Sequence, residues 1–388
     1  MDKLELYELI AGGEDSYTEF KRDASQRTDF ASEMIALANT DGGQILVGVE
    51  DDGRIVGVSN YRQTEEVIIN IARNNCNPPL VPLLDQVDTD DGRVIVARVL
   101  RRSGTPYENN SGQCYIRVGS TKRLATPQER ARMLQSAGLF HYDETPVPRT
   151  TIGDIDLTAF GDYYQRIYEQ PLTQADVPLP KMLENMRLLV GDLDGQMRLS
   201  LAGLLLFGKA PNDFAYYARI SAVRWVGVEA REDIIDRKEL TGRLPQQIDE
   251  AEAFVLRNTH LATHIERAQQ TDVYQYPRPA VREAVVNAVA HRDYGLDGAQ
   301  ILLYIFDDRL EIRSPGALPN GVTLENIRTH FSKPRNEIIA RALFNLGYVN
   351  TLESGIPRMI RLMRESTGRE PDIEVVSQQF NLRLWGRT

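Results

Sequence analysis

The sequence is poor in cysteine, with two such residues among 388. Cys76 and Cys114 lie far apart and in no metal-ligand spacing, so neither a disulfide framework nor a cysteine-bound zinc site is predicted. Isolated free cysteines are typical of proteins kept in a reducing compartment. We therefore expect a cytoplasmic protein.

Long hydrophobic runs are also missing. The longest apolar stretch, LAGLLLFG, begins at Leu201 and is far shorter than the roughly 20 residues that cross a bilayer as a helix. The first ten residues, MDKLELYELI, lack the basic region and the apolar core of a secretory signal. We therefore expect no membrane association.

The sequence also lacks an excess of positive charge, because its net charge is −10. An acidic protein is not attracted as a whole to nucleic acid. One segment differs, because residues 98–132 contain eight Lys or Arg and two Glu. Two interpretations remain open for this segment: a local surface for phosphates, or a solvated face of strands and loops.

The chain is long enough for two or three domains, and its composition is that of a globular protein. Residues 1–142 show alternating short strands and helices, and residues 143–150, DETPVPRT, have the composition of a linker. Residues 151–275 are predicted to be mainly helical, and residues 276–388 form a second alternating segment. The predicted fold class is α+β.

Two local predictions concern the first segment. The apolar spacing of Phe30, Met34 and Leu37 predicts a helix from Asp29 to Ala38. The runs QILVGV (44–49) and RIVGV (54–58) flank the turn residues EDDG, which favours a β-hairpin.

A polar row lies on an otherwise apolar helix near residue 285. Glu283, Asn287 and His291 recur at every fourth residue and therefore share one helix face. An amide oxygen beside a carboxylate can hold Mg²⁺ that carries substrate phosphates, and the carboxylate can activate a water. The alternative is a polar face that meets only solvent. We interpret His291 as structural.

Three later motifs strengthen the phosphate interpretation. Gly316 follows a predicted strand, where a backbone could approach a ligand closely. Lys333 and Arg335 lie in an irregular segment suited to anions. Gly355 stands where a helix should begin, and a helix start attracts phosphate.

The motifs REAVVNAVAHRDY, FDDRLEIRSPGALP, SKPRN and SGIPRM resemble the ATP-binding domain shared by DNA gyrase, heat-shock chaperones, histidine kinases and MutL. More closely, residues 276–388 resemble the RecG-like, ATP-binding transcriptional regulators. The resemblance implies an α/β sandwich that binds ATP and Mg²⁺. By this resemblance, Glu283 would activate the attacking water and Asn287 would bind Mg²⁺. Ser314 and Gly316 would lie near the adenine, and Gly355 near the phosphates. Lys333 and Arg335 would belong to the lid.

Two residues depart from that family pattern. Ser314 begins the motif in which the superfamily has an adenine-binding Asp, and Glu353 stands where a glycine usually opens the second glycine motif. The sequence therefore predicts binding of Mg²⁺ and ATP and leaves ATP hydrolysis open.

Acidic residues near the N-terminus form a second candidate site. Glu14, Glu19 and Lys21, with Asp51 or its neighbour Glu50, could hold a divalent metal and orient water in a nuclease. The alternative is an exposed, charged strand edge.

The motifs YTEFKRD, ANTDGGQILVGVEDDGRIVGV and YIRVGSTKRLATPQE resemble the Schlafen-type AlbA domain over about residues 10–135. That family binds DNA or RNA, and some animal Schlafens cleave RNA with acidic residues in positions like Glu14 and Glu19. The resemblance implies phosphate contacts from a set of basic side chains, namely Lys21, Arg22, Arg117, Lys122 and Arg123.

Together these features predict a nucleic-acid-binding regulator, with DNA preferred over RNA as partner, a C-terminal ATP switch and a homo-oligomeric state. The alternatives are a metal-dependent nuclease gated by ATP, possibly in defence, and a scaffold whose sites are degenerate. Cleavage of nucleic acid would support the nuclease. Absence of both nucleotide binding and nucleic-acid binding would support the scaffold.

Overall fold

The computed structural model describes residues 1–101, 105–230, 233–266, 269–318, 322–329, 334–349, 355–376 and 378–387. It divides into two compact units, Met1–Phe140 and His141–Thr388. Within these described ranges, no helix has both the length and the apolar character needed to cross a membrane.

The N-terminal unit contains a four-stranded sheet, ordered β1-β2-β5-β4, with helices on both faces. Strands β1 and β2 are parallel, and the other pairs are antiparallel. The elements are α1 Lys3–Gly12, β1 Thr18–Lys21, α2 Arg27–Asn39, β2 Gly43–Val47, α3 Tyr61–Asn74, β3 Cys76–Asn77, β4 Leu83–Asp88, β5 Arg93–Val99, β6 Glu108–Asn109, β7 Tyr115–Val118, β8 Thr121–Leu124 and α4 Pro127–Ser136.

This sheet is buried on both faces because its central strands are apolar at consecutive positions. Along β5, Ile95 and Ala97 join the core formed with α2 and α3, whereas Val94 and Val96 pack in a second core with Leu6 of α1. Successive strand residues point to opposite faces, so an uninterrupted apolar run fills both cores. The predicted helix over residues 29–38 is confirmed as α2.

The hairpin predicted over residues 44–58 is present only as a short turn around EDDG, and its two predicted strands do not form a ladder. Strand β2 pairs with β1 on one side and β5 on the other, and beyond it a single bridge joins Val49 to Ile55. Both edges of β2 are therefore occupied by strands distant in sequence. Residues 54–57 pair instead with the short segment after β2, where Glu50 donates to the carbonyl of Arg54 at 2.9 Å and Val56 donates to that of Gly48 at 2.9 Å.

The C-terminal unit is an α/β sandwich built on a six-stranded sheet, ordered β12-β11-β15-β16-β18-β17. Its elements are α5 Leu157–Tyr168, α6 Leu179–Asn185, β9 Leu189–Gly191, β10 Met197–Leu199, α7 Leu201–Phe207, α8 Pro211–Phe214, β11 Ile220–Trp225, β12 Ile234–Leu240, α9 Leu244–Arg257, β13 Leu261–Glu266, β14 Gln269–Tyr274, α10 Arg278–His291, β15 Ile301–Ile305, β16 Arg309–Pro315, α11 Glu337–Asn345, α12 Gly355–Thr367, β17 Asp372–Val376 and β18 Gln379–Trp385. With the N-terminal unit, this confirms the predicted α+β class.

The predicted division between a middle domain ending at residue 275 and an ATP-binding domain beginning at residue 276 needs correction. Strand β11 pairs in parallel with β15, with Ile220 opposite Ile301, and β12 extends the same sheet. Residues on both sides of the predicted boundary also contribute to one continuous core. Two segments that share a sheet and a core are one folding unit.

The predicted linker at residues 143–150 is part of the second unit. Asp143 is fully buried and accepts hydrogen bonds from the backbone N–H groups of Ile338 and Ile339 at 2.9 and 3.2 Å, in the first turn of α11. Burial raises the pKa of Asp143 to about 6. The polar composition of this segment reflects caps and turns rather than a free connection.

Candidate nucleotide and nucleic-acid sites

Helix α10 presents the predicted polar row to a cavity. Its apolar face, which includes Val281 and Val285, packs in the core of the second unit. On the opposite side the Glu283 carboxylate is only 4% exposed, and the Asn287 carboxamide donates toward its Oε1 at 3.4 Å. These side chains are adjacent because four residues make about one helical turn.

The cavity has a volume of about 190 Å³ and lies between α10, the sheet and α12. Both Glu283 and His291 line it, and eight residues of an α-helix span about 12 Å. Glu283 and Asn287 make one end of the lining polar, and most of the remaining lining residues are small or apolar, among them Ala288, Ala290, Ile312, Met359, Phe380 and Leu382. A ligand with one charged end and a largely apolar remainder matches this lining.

The start of α12 closes the polar end of the cavity. Gly355 has a positive φ of 62°, and a Cβ built on it would lie 3.8 Å from Glu283 Oε1 and 3.9 Å from Asn287 Oδ1. The backbone of a helix start therefore stands directly beside the carboxylate and the carboxamide. Such a start carries amide N–H groups without helical acceptors, which can bind phosphate oxygens.

Ser314 in β16 and Gly316 just after this strand are the predicted adenine contacts. Ser314 lines the cavity, is 4% exposed, and donates its hydroxyl to the carbonyl of Ala288 at 2.8 Å. Gly316 also lines the cavity with φ of 117°, and a Cβ there would lie 2.9 Å from the Cβ of Asp293. Ser314 joins the sheet to α10. Gly316 has no Cβ and therefore allows the backbone after β16 to pass close to Asp293.

Arg335 is not available as a lid residue, which corrects the sequence-based assignment. Its side chain is 5% exposed, and its guanidinium donates to the carbonyls of His291 (3.1 Å) and Ala317. Arg335 therefore holds the end of α10 against the segment after Gly316. The second predicted lid residue, Lys333, lies outside the described residues.

His291 is held neutral at pH 7. Burial, together with the nearby charge of Arg335, lowers the pKa of its imidazole to about 4. A neutral ring adds no charge to the cavity.

The residues at the polar end fit a Mg²⁺–nucleotide. Asn287 directs its amide nitrogen toward Glu283, so its Oδ1 remains an acceptor for a hard cation, which prefers oxygen ligands. Burial raises the pKa of Glu283, although the Arg358 charge, the Asn287 amide and the Gly355 backbone oppose the shift. A carboxyl group of raised pKa is suited to accept a proton from water. The bound cation would supply charge neutralisation for the phosphates.

In the N-terminal unit, Arg117 lies in a buried ion-pair network and is not a surface contact for phosphate, contrary to the sequence-based assignment. Its side chain is 0% exposed and pairs with Glu19 at 2.8 Å and Glu33 at 3.1 Å. It also donates to the carbonyls of Asp15 and Thr18 at 2.9 and 3.0 Å. Arg117 thereby joins β7 to β1 and α2.

Sequence reasoning missed Glu33 and Asp29, which complete this network. Lys122 binds Glu33 at 2.7 Å and also binds Asp29, and Lys21 binds Glu19 at 2.5 Å. Burial raises the pKa of Glu33. The available signal was the spacing of Asp29 and Glu33, two acids one turn apart on a buried helix.

The remaining predicted phosphate contacts are more exposed. The side chain of Arg22 is 73% exposed with Glu50 3.6 Å away, and that of Arg123 is 45% exposed and bonded to Glu129. Lys21 and Lys122 are 23% and 20% exposed. Arg22 and Arg123 can thus meet a ligand without disturbing the core.

The predicted nuclease acids do not converge on a metal. Glu14 accepts a hydrogen bond from the backbone N–H of Phe20 at 2.8 Å, Glu19 is paired with Arg117 and Lys21, and Asp51 is exposed. Burial raises the pKa of Glu14, with the charges of Glu19 and Asp51 adding to the shift. Across the part of the chain that the structure describes, no group of three or more His, Cys, Asp or Glu could hold a metal ion.

Three family models match separate segments of the chain. The Schlafen, AlbA_2 model matches residues 14–126, the ATP-dependent DNA helicase recG C-terminal model matches residues 298–384, and a domain of unknown function matches residues 131–220. The second match begins after α10, so Glu283 and Asn287 lie outside it. The matched domains are those of a nucleic-acid-related, ATP-binding protein.

Two solved structures are similar to parts or all of the chain. The DIP2311 protein of Corynebacterium diphtheriae is 23% identical, with 99% of this chain and 80% of that chain covered and a TM-score of 0.48. The N-terminal domain of a RecG-related protein from Nitrosomonas europaea is 25% identical, with 31% and 90% covered and a TM-score of 0.26. No curated protein matches. The family matches, and not these structures, show that the chain contains a Schlafen-type AlbA_2 domain followed by a C-terminal unit with a RecG C-terminal-like domain.

Proposed function

We propose that this protein is a nucleic-acid-binding regulator whose C-terminal unit binds Mg²⁺–ATP in the cavity beside α10. One observation carries the nucleotide assignment: Glu283 and Asn287 face the glycine start of α12 at the polar end of an otherwise apolar cavity. In this arrangement the adenine occupies the apolar end near Ser314 and Gly316. Asn287 holds Mg²⁺, and the amides that begin at Gly355 contact the phosphates.

The proposal predicts that Mg²⁺–ATP raises the melting temperature of the wild type and leaves that of Asn287→Ala unchanged. A ligand at a hundredfold its Kd adds about 2.7 kcal/mol to the native state, and removal of the cation ligand removes this gain. Thermal unfolding with and without Mg²⁺–ATP measures the difference. Asn345→Ala is the matched control, because its carboxamide lies in the same unit and binds Tyr163. A shift retained in Asn287→Ala, or absent from the wild type, contradicts the assignment.

For nucleic acid, we propose contacts to phosphate from Lys21, Arg22, Lys122 and Arg123 of the N-terminal unit. All four side chains have carboxylate neighbours, but those of Arg22 and Arg123 are the more exposed, at 73% and 45%, so these two are the main contacts. Phosphate contacts position a protein without reading bases. Binding of this kind has low sequence selectivity.

Arg22→Gln should weaken DNA binding and reduce the slope of log K against log salt by about 0.9, the value for one lost phosphate contact. Fluorescence anisotropy of labelled duplex at several salt concentrations measures that slope. Arg62→Gln, an exposed arginine on α3, serves as the control and should leave the slope unchanged. An unaltered slope in Arg22→Gln removes this residue from the interface, and tighter binding of single-stranded RNA changes the preferred partner.

A regulatory function follows if ATP has different affinities for two states of the protein that differ in nucleic-acid affinity or in oligomeric state. We propose a homo-oligomer as one of these states. The nuclease alternative receives no support from the geometry of Glu14, Glu19 and Asp51, because Glu19 is already neutralised by Arg117 and Lys21.

A further inference from the structure

A basic groove adjoins the polar end of the nucleotide cavity. It is lined by Arg278, Arg282, Arg358, Glu252 and Tyr348, among others, and it shares Glu283 and Val349 with the cavity. The two spaces therefore meet at Glu283. A ligand whose charged end passes Glu283 enters a region that contains three arginines.

These three arginines differ in how firmly they are held. Arg278 and Arg282 bind the two oxygens of the Glu252 carboxylate at 2.9 and 2.7 Å. Arg358 has a longer contact, with its Nη1 3.9 Å from Oε2 of Glu283. No hydrogen bond of Arg358 is found within the described ranges of the chain. Its guanidinium has five donors, so most of its bonding capacity remains available.

The available N–H donors of Arg358 lie beside the polar end of the cavity. It stands one turn after Gly355 in α12, on the same helix start that faces Glu283 and Asn287. A phosphate beside Glu283 would place two like charges close together in a largely buried site, which is unfavourable unless a cation lies between them. Arginine suits this position because its planar fork binds two phosphate oxygens at once.

We propose that Arg358 recognises the terminal phosphate of the bound nucleoside triphosphate and so distinguishes a triphosphate from a diphosphate. This inference rests on the proposed nucleotide site. In the nucleotide-free protein the Arg358 guanidinium contacts the Glu283 carboxylate. When the triphosphate binds, the guanidinium moves to the terminal phosphate. Glu283 is then released from its loose ion pair to meet water. A diphosphate lacks the group that Arg358 would bind.

The test is isothermal titration of the full chain with Mg²⁺–ATP and with Mg²⁺–ADP. We expect the wild type to bind ATP more tightly than ADP. Arg358→Gln should lower the affinity for ATP at least tenfold and change that for ADP less than twofold, and Arg358→Lys should retain part of the preference. The matched control is Arg364→Gln, on the same helix, where the exposed arginine pairs with Glu370. It should leave both affinities unchanged.

The outcomes separate the two proposals. If the wild type binds neither nucleotide, the cavity is not a nucleotide site and both proposals fall. If the wild type binds ATP but Arg358→Gln loses ATP and ADP equally, or loses neither, the nucleotide site stands and the assignment of Arg358 is overturned. Circular dichroism of each variant verifies that a loss of binding does not come from unfolding.

Discussion

Replacing Arg117 with methionine is expected to lower the free energy of unfolding of the N-terminal unit by about 3–5 kcal/mol, the usual result of removing one partner of a buried ion pair. The buried guanidinium satisfies Glu19, Glu33 and two backbone carbonyls. Without it the two carboxylates remain buried with Lys21 and Lys122 as their remaining cations.

The distribution of tryptophan makes this loss measurable in the full chain. Both tryptophans, Trp225 and Trp385, belong to the second unit. Urea unfolding followed by circular dichroism reports both units, whereas tryptophan fluorescence reports the second. Arg117→Met should add an early transition to the circular dichroism curve and leave the fluorescence midpoint in place.

Two further measurements test the cause. Arg101→Met removes an arginine from the same unit whose side chain is 57% exposed and pairs with Asp41, and it should cost less than about 1 kcal/mol. The pKa of Glu33 is already raised by burial, and loss of Arg117 raises it further. A native pKa above the unfolded value makes stability fall as pH rises, so the deficit of Arg117→Met should be larger at pH 8 than at pH 5. An effect no larger than that of Arg101→Met would show that the network does not stabilise the fold.

Gly316→Ala is expected to destabilise the second unit by about 2–6 kcal/mol and to weaken nucleotide binding. Its φ of 117° is a conformation that side chains rarely adopt, and the added Cβ would lie 2.9 Å from the Cβ of Asp293. Strained backbone of this kind costs roughly 1–3 kcal/mol, and the overlap adds a similar amount. Because Gly316 lines the cavity, any shift that relieves the overlap also alters the nucleotide site.

The fluorescence transition of Trp225 and Trp385 measures this effect directly, since both lie in the affected unit. Gly298→Ala is the matched control, because a Cβ on Gly298 meets no atom within 4 Å. It should change the free energy of unfolding by only a few tenths of a kcal/mol. Equal midpoints for the two variants would mean that the chain near Gly316 adapts without strain.

Features carried by local spacing could be predicted from the sequence. The four-residue interval of Glu283 and Asn287 places both on one helix face, whatever the surroundings of the helix. Gly355 begins α12 as its motif indicated. The Schlafen-type and RecG-like segments were also recognisable, because their motifs consist of short runs in a particular order.

Features that depend on distant partners could not be predicted in this way. Arg117 and Arg335 were assigned to ligands because they are basic, yet each satisfies buried acceptors, and for Arg117 one of them lies 84 positions away. The division at residue 275 was wrong for a similar reason, since β11 pairs with β15 across 81 positions, as between Ile220 and Ile301. Residue type gives the charge of a side chain but does not reveal how deeply it is buried.

By itself, the sequence determined the α+β class, the two recognisable domains and the residues that can carry phosphate chemistry, because helix period and motif order are local properties of the chain. Only the tertiary structure decided which of those residues face a cavity and which are held in the core. Burial and ion pairing arise when segments far apart in sequence pack together. That packing places Glu283, Asn287 and Gly355 around one cavity and Arg358 in the groove that adjoins it. It also encloses Arg117 in a network of carboxylates.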